Sequence, residues 1–515
     1  MVHLLVFPQY NEASYSCGKY WSAKDAAFVK SALVLDNKEN FAPGGFIVEL
    51  PENSDWFHEA VHDTMSAITE DQPHINEAIK GPEAIQWKEA IEAQLAQIKK
   101  LGIWEVIKAP LDANIIDSQF VLHCKCDTQG NISQYKACLV TKSFKQQFGV
   151  NYTETFAPTV CASTLRVLLS MAGMLGDKVV IKQADAKHSF LNSWLHSNEV
   201  IYMAIALCLW RPLYGMKQGA YHWYKELKRI LLLLGFRVLL ADELVFIKVE
   251  GTKFVIITAA MDDLTFIADS TKSMALVKSQ MNEYFELIDL GPINWLLGVS
   301  VVWNIENQTI TLGQEAYIEQ ILARFRLDRS WPAVTLMEPG ANFTPDSPLV
   351  SPTLLTAAKK TTYREMIGSP IYLAIMTCPD ISFAVFTLSQ YLDIPRTTHF
   401  NAVWCIFCYL LGIKQLKLVL GGKVSNIVGF SDADWASHIH CHSISGFAFF
   451  ISLGVISWSA KKQPIITLSS TKSEYVALTH ASKDIIWLHK LLKELSFLYP
   501  LSLLTTLHCD NQGAI

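Results

Sequence analysis

The stretch Lys253–Ala268, KFVIITAAMDDLTFIA, holds two apolar runs separated by Met261-Asp262-Asp263. Each run has strand length, and the acidic residues fall between them, so the stretch predicts a β-hairpin with carboxylates at its tip. Adjacent carboxylates at the end of a hydrophobic hairpin repel and raise each other's pKa unless a cation neutralises them. Magnesium suits such a place, because it favours oxygen ligands and keeps positions open for water and phosphate. Asp is also a common turn residue, and for an isolated pair the plain turn is the simpler reading.

Outward from the hairpin, Val179–Asp185 reads as an apolar strand that ends in a carboxylate. Asp185 can meet the hairpin tip and complete a site for two metals about 3.5 to 4 Å apart, suited to in-line phosphoryl displacement. Taken alone it is equally a strand-end cap. Strands over Gln119–His123 and Ala137–Thr141 and helices over Thr164–Leu175 and His222–Leu234 surround these segments, with a further helix over Ser273–Leu287 that Leu290-Gly291-Pro292 terminates. Trp87, Ala90, Ile91, Leu95, Ile98 and Leu101 recur at helical spacing, so order begins near Pro82. Residues 1–80 carry little periodicity and read as a linker or remnant. A Pro/Ser-rich connection over 332–352 precedes a helical region over Tyr363–Leu411. The last part reads as a separate unit: a strand over Asn426–Asp432, a hairpin over Gly446–Ser459, an amphipathic helix over Thr471–Leu495 and a strand over Leu503–Asp510.

The 515 residues carry a formal net charge of -5, so no chain-wide positive field draws the protein to nucleic acid. Of the 43 basic residues only nine are Arg, the first at Arg166. Half of the residues are hydrophobic, which excludes global disorder. The 11 cysteines are scattered and odd in number, which points to a reducing, intracellular compartment, cytoplasmic or nuclear. Cys124 with Cys126 and Cys405 with Cys408 lack a second pair at zinc-finger spacing. No membrane span is expected: the apolar run 402–413 is shorter than the roughly 20 residues a bilayer needs, and Pro379-Asp380 interrupts 371–388.

Taken together, Tyr135-Lys136-Ala137, Tyr152-Thr153-Glu154-Thr155-Phe156-Ala157-Pro158, Ser189-Phe190-Leu191-Asn192, Leu213-Tyr214-Gly215-Met216-Lys217-Gln218, Met261-Asp262-Asp263 and Leu290-Gly291-Pro292 resemble the reverse transcriptase of copia-type LTR retrotransposons, in the family's order. Ile367-Gly368-Ser369, Ser431-Asp432-Ala433-Asp434-Trp435, Ser469-Ser470-Thr471, Glu474-Tyr475 and Asp510-Asn511-Gln512 continue the match. The resemblance covers roughly Ala84 to Ile515. It implies an α+β fold: a right-hand polymerase with fingers and palm over 81–305, thumb and connection over 306–425, and a partial RNase H-like α/β domain over 426–515. It further implies Asp185, Asp262 and Asp263 as polymerase metal ligands, with Lys136, Phe190 and Gln218 around the incoming nucleotide and Phe190 excluding a 2′-hydroxyl. Asp432, Glu474 and Asp510 match three RNase H carboxylates; without the resemblance, Glu474 reads as a solvated helix face. The implied cofactor is Mg²⁺, two ions per active site. The implied partners are an RNA template, a DNA primer, their hybrid and deoxynucleoside triphosphates.

Several positions depart from the family pattern. Ala260 stands where the family has an aromatic, which predicts a poorly supported hairpin tip. The chain is short between Tyr202 and Pro212, which predicts a distorted palm, and it ends five residues after Asp510, which predicts an incomplete RNase H module. The family typically has Arg at Cys138, Cys161, Cys378, Cys405, Cys408, Cys441, His442 and Gln134, and also at Tyr221. Ser143 and Ser193 replace Gly, and Lys472 replaces Glu. Nearly all of these changes follow from C-to-T transitions, the pattern of a copy decayed by cytosine deamination. A catalytically inactive remnant that at most binds nucleic acid is therefore the alternative function.

Overall fold

The computed structural model describes residues 2–6, 75–107, 110, 113–126, 132–203, 207–337, 343, 353–423, 425–436, 441–498 and 505–514. Strand β1 (Val2–Val6) is followed by α1 (Ala84–Lys100), which lays Trp87 and Ile98 against the rest of the chain. Next come the paired strands β2 (Ser118–Cys126) and β3 (Ile132–Thr141), then α2 (Ala162–Leu175), nearly all of whose side chains are buried. Strand β4 (Val180–Ala186), α3 (Gly219–Leu233), β5 (Lys253–Ala260), β6 (Asp263–Ala268), α4 (Thr271–Asn282) and β7 (Leu287–Pro292) follow.

Among the described residues, the central sheet has six strands in the order β7, β4, β6, β5, Val245–Glu250, Arg237–Val238. Strands β5 and β6 are apolar on both faces because the sheet is covered on both sides, which is why the sequence runs unbroken rather than alternating. The helix expected over Ser273–Leu287 ends earlier, at Asn282, and the residues read as its terminator form β7. This strand pairs with β4 through a bulge between Asp289 and Gly291. Ladder hydrogen bonding to β4 thus overrides the helical periodicity of the last turn.

The short segment near 202–212 belongs to a separate sheet. Ile201–Met203 and Leu207–Leu209 pair directly, with Ile201 opposite Leu209, and bury Leu213 beside them. Four strands that the sequence did not announce, Trp295–Leu296, Val299–Asn304, Thr309–Gly313 and Leu418–Gly421, form a further sheet. Gly421, at φ 84°, lies so close to the chain that a Cβ would stand 2.5 Å from the Gln308 carbonyl oxygen.

The helical region resolves into α5 (Ala357–Met376), α6 (Ser382–Ser389) and α7 (Thr397–Ile413), which share a core of their own with Ile318, Ile321 and Leu322. The final strands and helix are β8 (Val428–Asp434), β9 (Ile444–Ile451), β10 (Gly454–Lys462), α8 (Ser470–Glu494) and β11 (Thr505–Cys509). Their sheet runs β1, β11, β8, β9, β10, with β8 and β11 parallel. Two expectations change. Residues 2–6, assigned to a linker, supply an antiparallel edge strand, Val2 opposite Cys509 and Val6 opposite Thr505; residues 7–74 lie outside the described residues. The C-terminal unit is also not separate, because its buried residues join those of the central sheet in one core.

Arg166 on α2 sits at this junction, 2% exposed. Its guanidinium donates to the carbonyl oxygens of Ile456 (2.7 Å) and Ile375 (2.8 Å) and to Ser163 Oγ (3.1 Å), and lies 3.9 Å over the Trp458 ring. Three segments distant in sequence thus converge on one side chain, and burial lowers its pKa only to about 10, so it stays charged.

Candidate active sites

The β5–β6 hairpin closes through Met261 and Asp262, with Ala260 opposite Asp263. Met261 takes φ 59°, the left-handed value that a two-residue turn of this hand demands of its first residue and that Gly adopts most easily. The expected loss of support at Ala260 is offset by a residue that no sequence signal marked. Trp223 on α3, 2% exposed, donates its indole N–H to the Met261 carbonyl oxygen at 2.7 Å and packs edge-on against Phe285. Only a tertiary approach of α3 to the hairpin makes this contact.

On the next strand Asp185 is the direct antiparallel partner of Asp263, and the Ala186 N–H donates to the Asp262 carbonyl oxygen at 2.8 Å. The three carboxylates expected to act together are therefore brought to one sheet end. Asp263 reaches solvent, yet partial burial, then Asp262 and Asp185, hold its pKa above the usual Asp range. A divalent cation would remove that penalty by neutralising the group, so the donor set fits an oxygen-preferring ion such as Mg²⁺.

Beyond β4, His188 takes φ 56° and a short 3-10 turn, Ser189–Asn192, follows. Phe190 on that turn stands 5.2 Å from the Tyr214 ring, and a Cβ at Gly219 would touch it at 3.6 Å. Burial raises the Tyr214 pKa, with Asp262, Cys138 and Asp185 acting in the same direction. Strand β3, which carries Lys136 and Cys138, reaches this place because the Thr141 N–H donates to the Tyr214 carbonyl oxygen at 2.9 Å. Lys136 is exposed.

Gln218 is 0% exposed and its amide is hydrogen-bonded at both ends: Nε2 donates to the Asn151 carbonyl oxygen at 2.8 Å, and Oε1 accepts from Gln146 at 2.9 Å. It ties the 146–151 loop to the start of α3.

At the second centre, Asp432 lies on β8, Glu474 on α8 and Asp510 just after β11. Glu474, 5% exposed, accepts from the Ala433 N–H at 3.3 Å. Its pKa is pushed up to about 7, first by burial and then by Asp432 and Asp510, and Asp432 accepts from the same Ala433 N–H at 2.9 Å. The close group is made of two of these carboxylates and a thiol: Glu474, Cys509 and Asp510 hold ligand atoms within 4.8 Å of one another. The Cys509 thiol points at Glu474 Oε2 at 3.8 Å, and burial pushes its pKa up to about 11.

Residues 101–339 match the family of reverse transcriptases, the RNA-dependent DNA polymerases. The chain is 31% identical over 458 residues to the retrovirus-related Pol polyprotein from transposon TNT 1-94 of Nicotiana tabacum, which covers 86% of the chain and 34% of that protein. The chain resembles retrotransposon Pol polyproteins over most of its length. It is also 30% identical over 466 residues to the Pol polyprotein from transposon RE1 of Arabidopsis thaliana, covering 87% of the chain and 31% of the relative. It spans about a third of the length of these relatives. A crystal structure of prototype foamy virus protease-reverse transcriptase overlaps 79% of this chain and 46% of its own at 10% identity, with a TM-score of 0.26. The mixed helix-and-strand architecture agrees with the reverse-transcriptase family, and no helix among the described residues is long and apolar enough to cross a membrane.

Proposed function

We propose that this chain is an RNA-directed DNA polymerase of a copia-type retrotransposon, with fingers and palm over 81–305, thumb and connection over 306–425 and an RNase H-like unit over 426–515 completed by β1. The observation that carries the reading is the cross-strand pairing of Asp185 with Asp263, with Asp262 in the intervening turn. Asp185, Asp262 and Asp263 would hold two Mg²⁺ ions, which supply charge stabilisation to the attacking and leaving oxygens of nucleotidyl transfer when bound. The 3′-hydroxyl of a DNA primer on an RNA template attacks the α-phosphorus of a deoxynucleoside triphosphate, and pyrophosphate leaves. Phe190, braced by Tyr214 and Gly219, lies where it would close the sugar pocket against a 2′-hydroxyl. Gln218 acts through the loop it anchors. Asp432, Glu474 and Asp510 form the corresponding metal set for cleaving RNA in the hybrid, and both activities belong inside the cell, in cytoplasm or nucleus.

One position favours the second reading, a remnant that binds nucleic acid without extending it. Cys138 acts on the same Tyr214 hydroxyl as Asp262 and Asp185, and a guanidinium fork at its position would pair with phosphate. A neutral thiol forgoes about 1.5 to 3 kcal/mol per charged hydrogen bond, more than tenfold in binding. Primer extension on an RNA template with Mg²⁺ separates the two. Extension by the chain that disappears in Asp262→Asn and Asp263→Asn supports the polymerase, whereas binding of the primer–template without extension supports the remnant. Extension that persists in both variants overturns the site.

A further inference from the structure

We propose that Cys405 and Cys408 on α7 form a dithiol site for a thiophilic divalent cation such as Zn²⁺. The inference does not depend on the polymerase reading. Both residues stand where the resembled family has Arg, so the pair belongs to this chain and not to the family pattern. Cys405 and Cys408 are three residues apart within α7, and helical residues at that spacing share one face with Cβ atoms about 5 to 6 Å apart. Val403, Ile406, Phe407 and Leu410 are buried in the helical core, so the cysteine face turns outward. Cys405 is exposed, Cys408 is half-buried, and both are free thiols. The segment at Pro332 and Ala333 runs alongside: the Ala333 N–H donates to the Cys408 carbonyl oxygen at 3.0 Å, and a Cβ at Gly412, one turn on, would stand 3.3 Å from Pro332. That contact holds the Cys408 backbone in place.

A disulfide and a bridging cation compete for such a pair, and distance decides between them. A disulfide needs Cβ atoms about 3.5 to 4.5 Å apart, closer than one helical turn gives. A tetrahedral cation with each sulfur at about 2.3 Å holds the two sulfurs about 3.8 Å apart, a span that the turn provides without distortion. Soft sulfur donors select cations of the Zn²⁺ type over Mg²⁺, which favours oxygen. Each thiol gives its proton to water as its metal–sulfur bond forms. Two protein ligands leave the remaining positions to water, so the ion is held more weakly than at a four-ligand structural site.

The test is titration of the reduced full chain with Cd²⁺, a softer probe of the same geometry, in excess Mg²⁺ that occupies oxygen-rich sites. Equilibrium dialysis and the ultraviolet thiolate-to-Cd²⁺ charge-transfer band give the number of ions bound and their affinity. Cys405→Ser, at an exposed position where folding is not at stake, and Cys408→Ser should each lose one bound Cd²⁺ or weaken it at least about tenfold, since even outer partners of metal sites contribute that much. Asn401 is exposed four residues before Cys405. Asn401→Cys combined with Cys408→Ser therefore keeps the number of thiols, rebuilds a pair on the same helical face and should restore the bound ion. Cd²⁺ should also raise the thermal midpoint of the chain and leave that of Cys405→Ser unmoved by this site, because an ion bound only to the folded helix stabilises it. Zn²⁺ should compete with the probe. Binding unchanged in both serine variants, or not restored by the Asn401→Cys combination, overturns the inference.

Discussion

Arg166→Met should be among the most destabilising single changes available to this chain. Met matches much of the apolar volume, so the cavity contribution is small, and the loss is electrostatic. Carbonyl oxygens of Ile456, Ile375 and Met376 lose a charged donor. Each such bond contributes about 1.5 to 3 kcal/mol, and the stacking on Trp458 adds up to about 2 kcal/mol in a desolvated setting. Sparing the desolvation of a buried guanidinium offsets part of the sum, and breaking buried charged interactions costs about 3–5 kcal/mol net. Asp484, buried beside Arg166 and already pushed up to about 6 by burial, would lose the cation that restrains it and titrate higher still. A loss of about 3–5 kcal/mol is a large part of the 5–15 kcal/mol typical of folded chains. Urea unfolding followed by far-UV circular dichroism, with Trp fluorescence as a second probe, measures it. Arg166→Lys should fall between, since one ammonium cannot serve the same acceptors in fork geometry. A change below about 1 kcal/mol for Arg166→Met, the size of a surface pair, would refute the reasoning that Arg166 holds α2, the end of α5 and β10 together.

Two further outcomes follow from the carboxylates. Asp242, 4% exposed, accepts from the Cys161 N–H at 2.9 Å, and burial, the largest cause, raises its pKa. A raised carboxylate pKa gives stability that is full below the unfolded value and lost as pH rises through the folded one. Cys161→Arg should lower that pKa and flatten the fall of the thermal midpoint as pH rises above the ordinary Asp range; an unaltered slope would show that the guanidinium does not reach Asp242. Glu474, raised to about 7, likewise favours the folded state in acid and ceases to do so as pH rises through about 7. Mg²⁺ should therefore raise the thermal midpoint at about pH 8 and scarcely at about pH 5, where the carboxyl holds its proton. Glu474→Gln should remove most of that difference, and an equal Mg²⁺ shift at both pH values would count against Glu474 as a ligand.

The amino-acid sequence by itself determined the local elements and the chemistry they carry. The β5–β6 hairpin, the strand that bears Asp185 and the amphipathic α8 were legible because periodicity and turn residues act over a few neighbours. The carboxylates proposed for both centres were picked out by a motif order that resembles the Pol polyproteins. Tertiary structure decided everything that depends on residues distant in sequence. It turned Leu287–Pro292 from a helix terminator into a strand, because β4 offered an unpaired edge. It put Trp223 under Met261, withdrew Gln218 into a hydrogen-bonded clamp and set Cys509 beside Glu474. It also joined the unit expected to stand apart to the central sheet through Arg166. Sequence spacing records which groups a chain possesses, whereas burial, pKa and partnership arise only when packing brings together segments as far apart as residues 166 and 456.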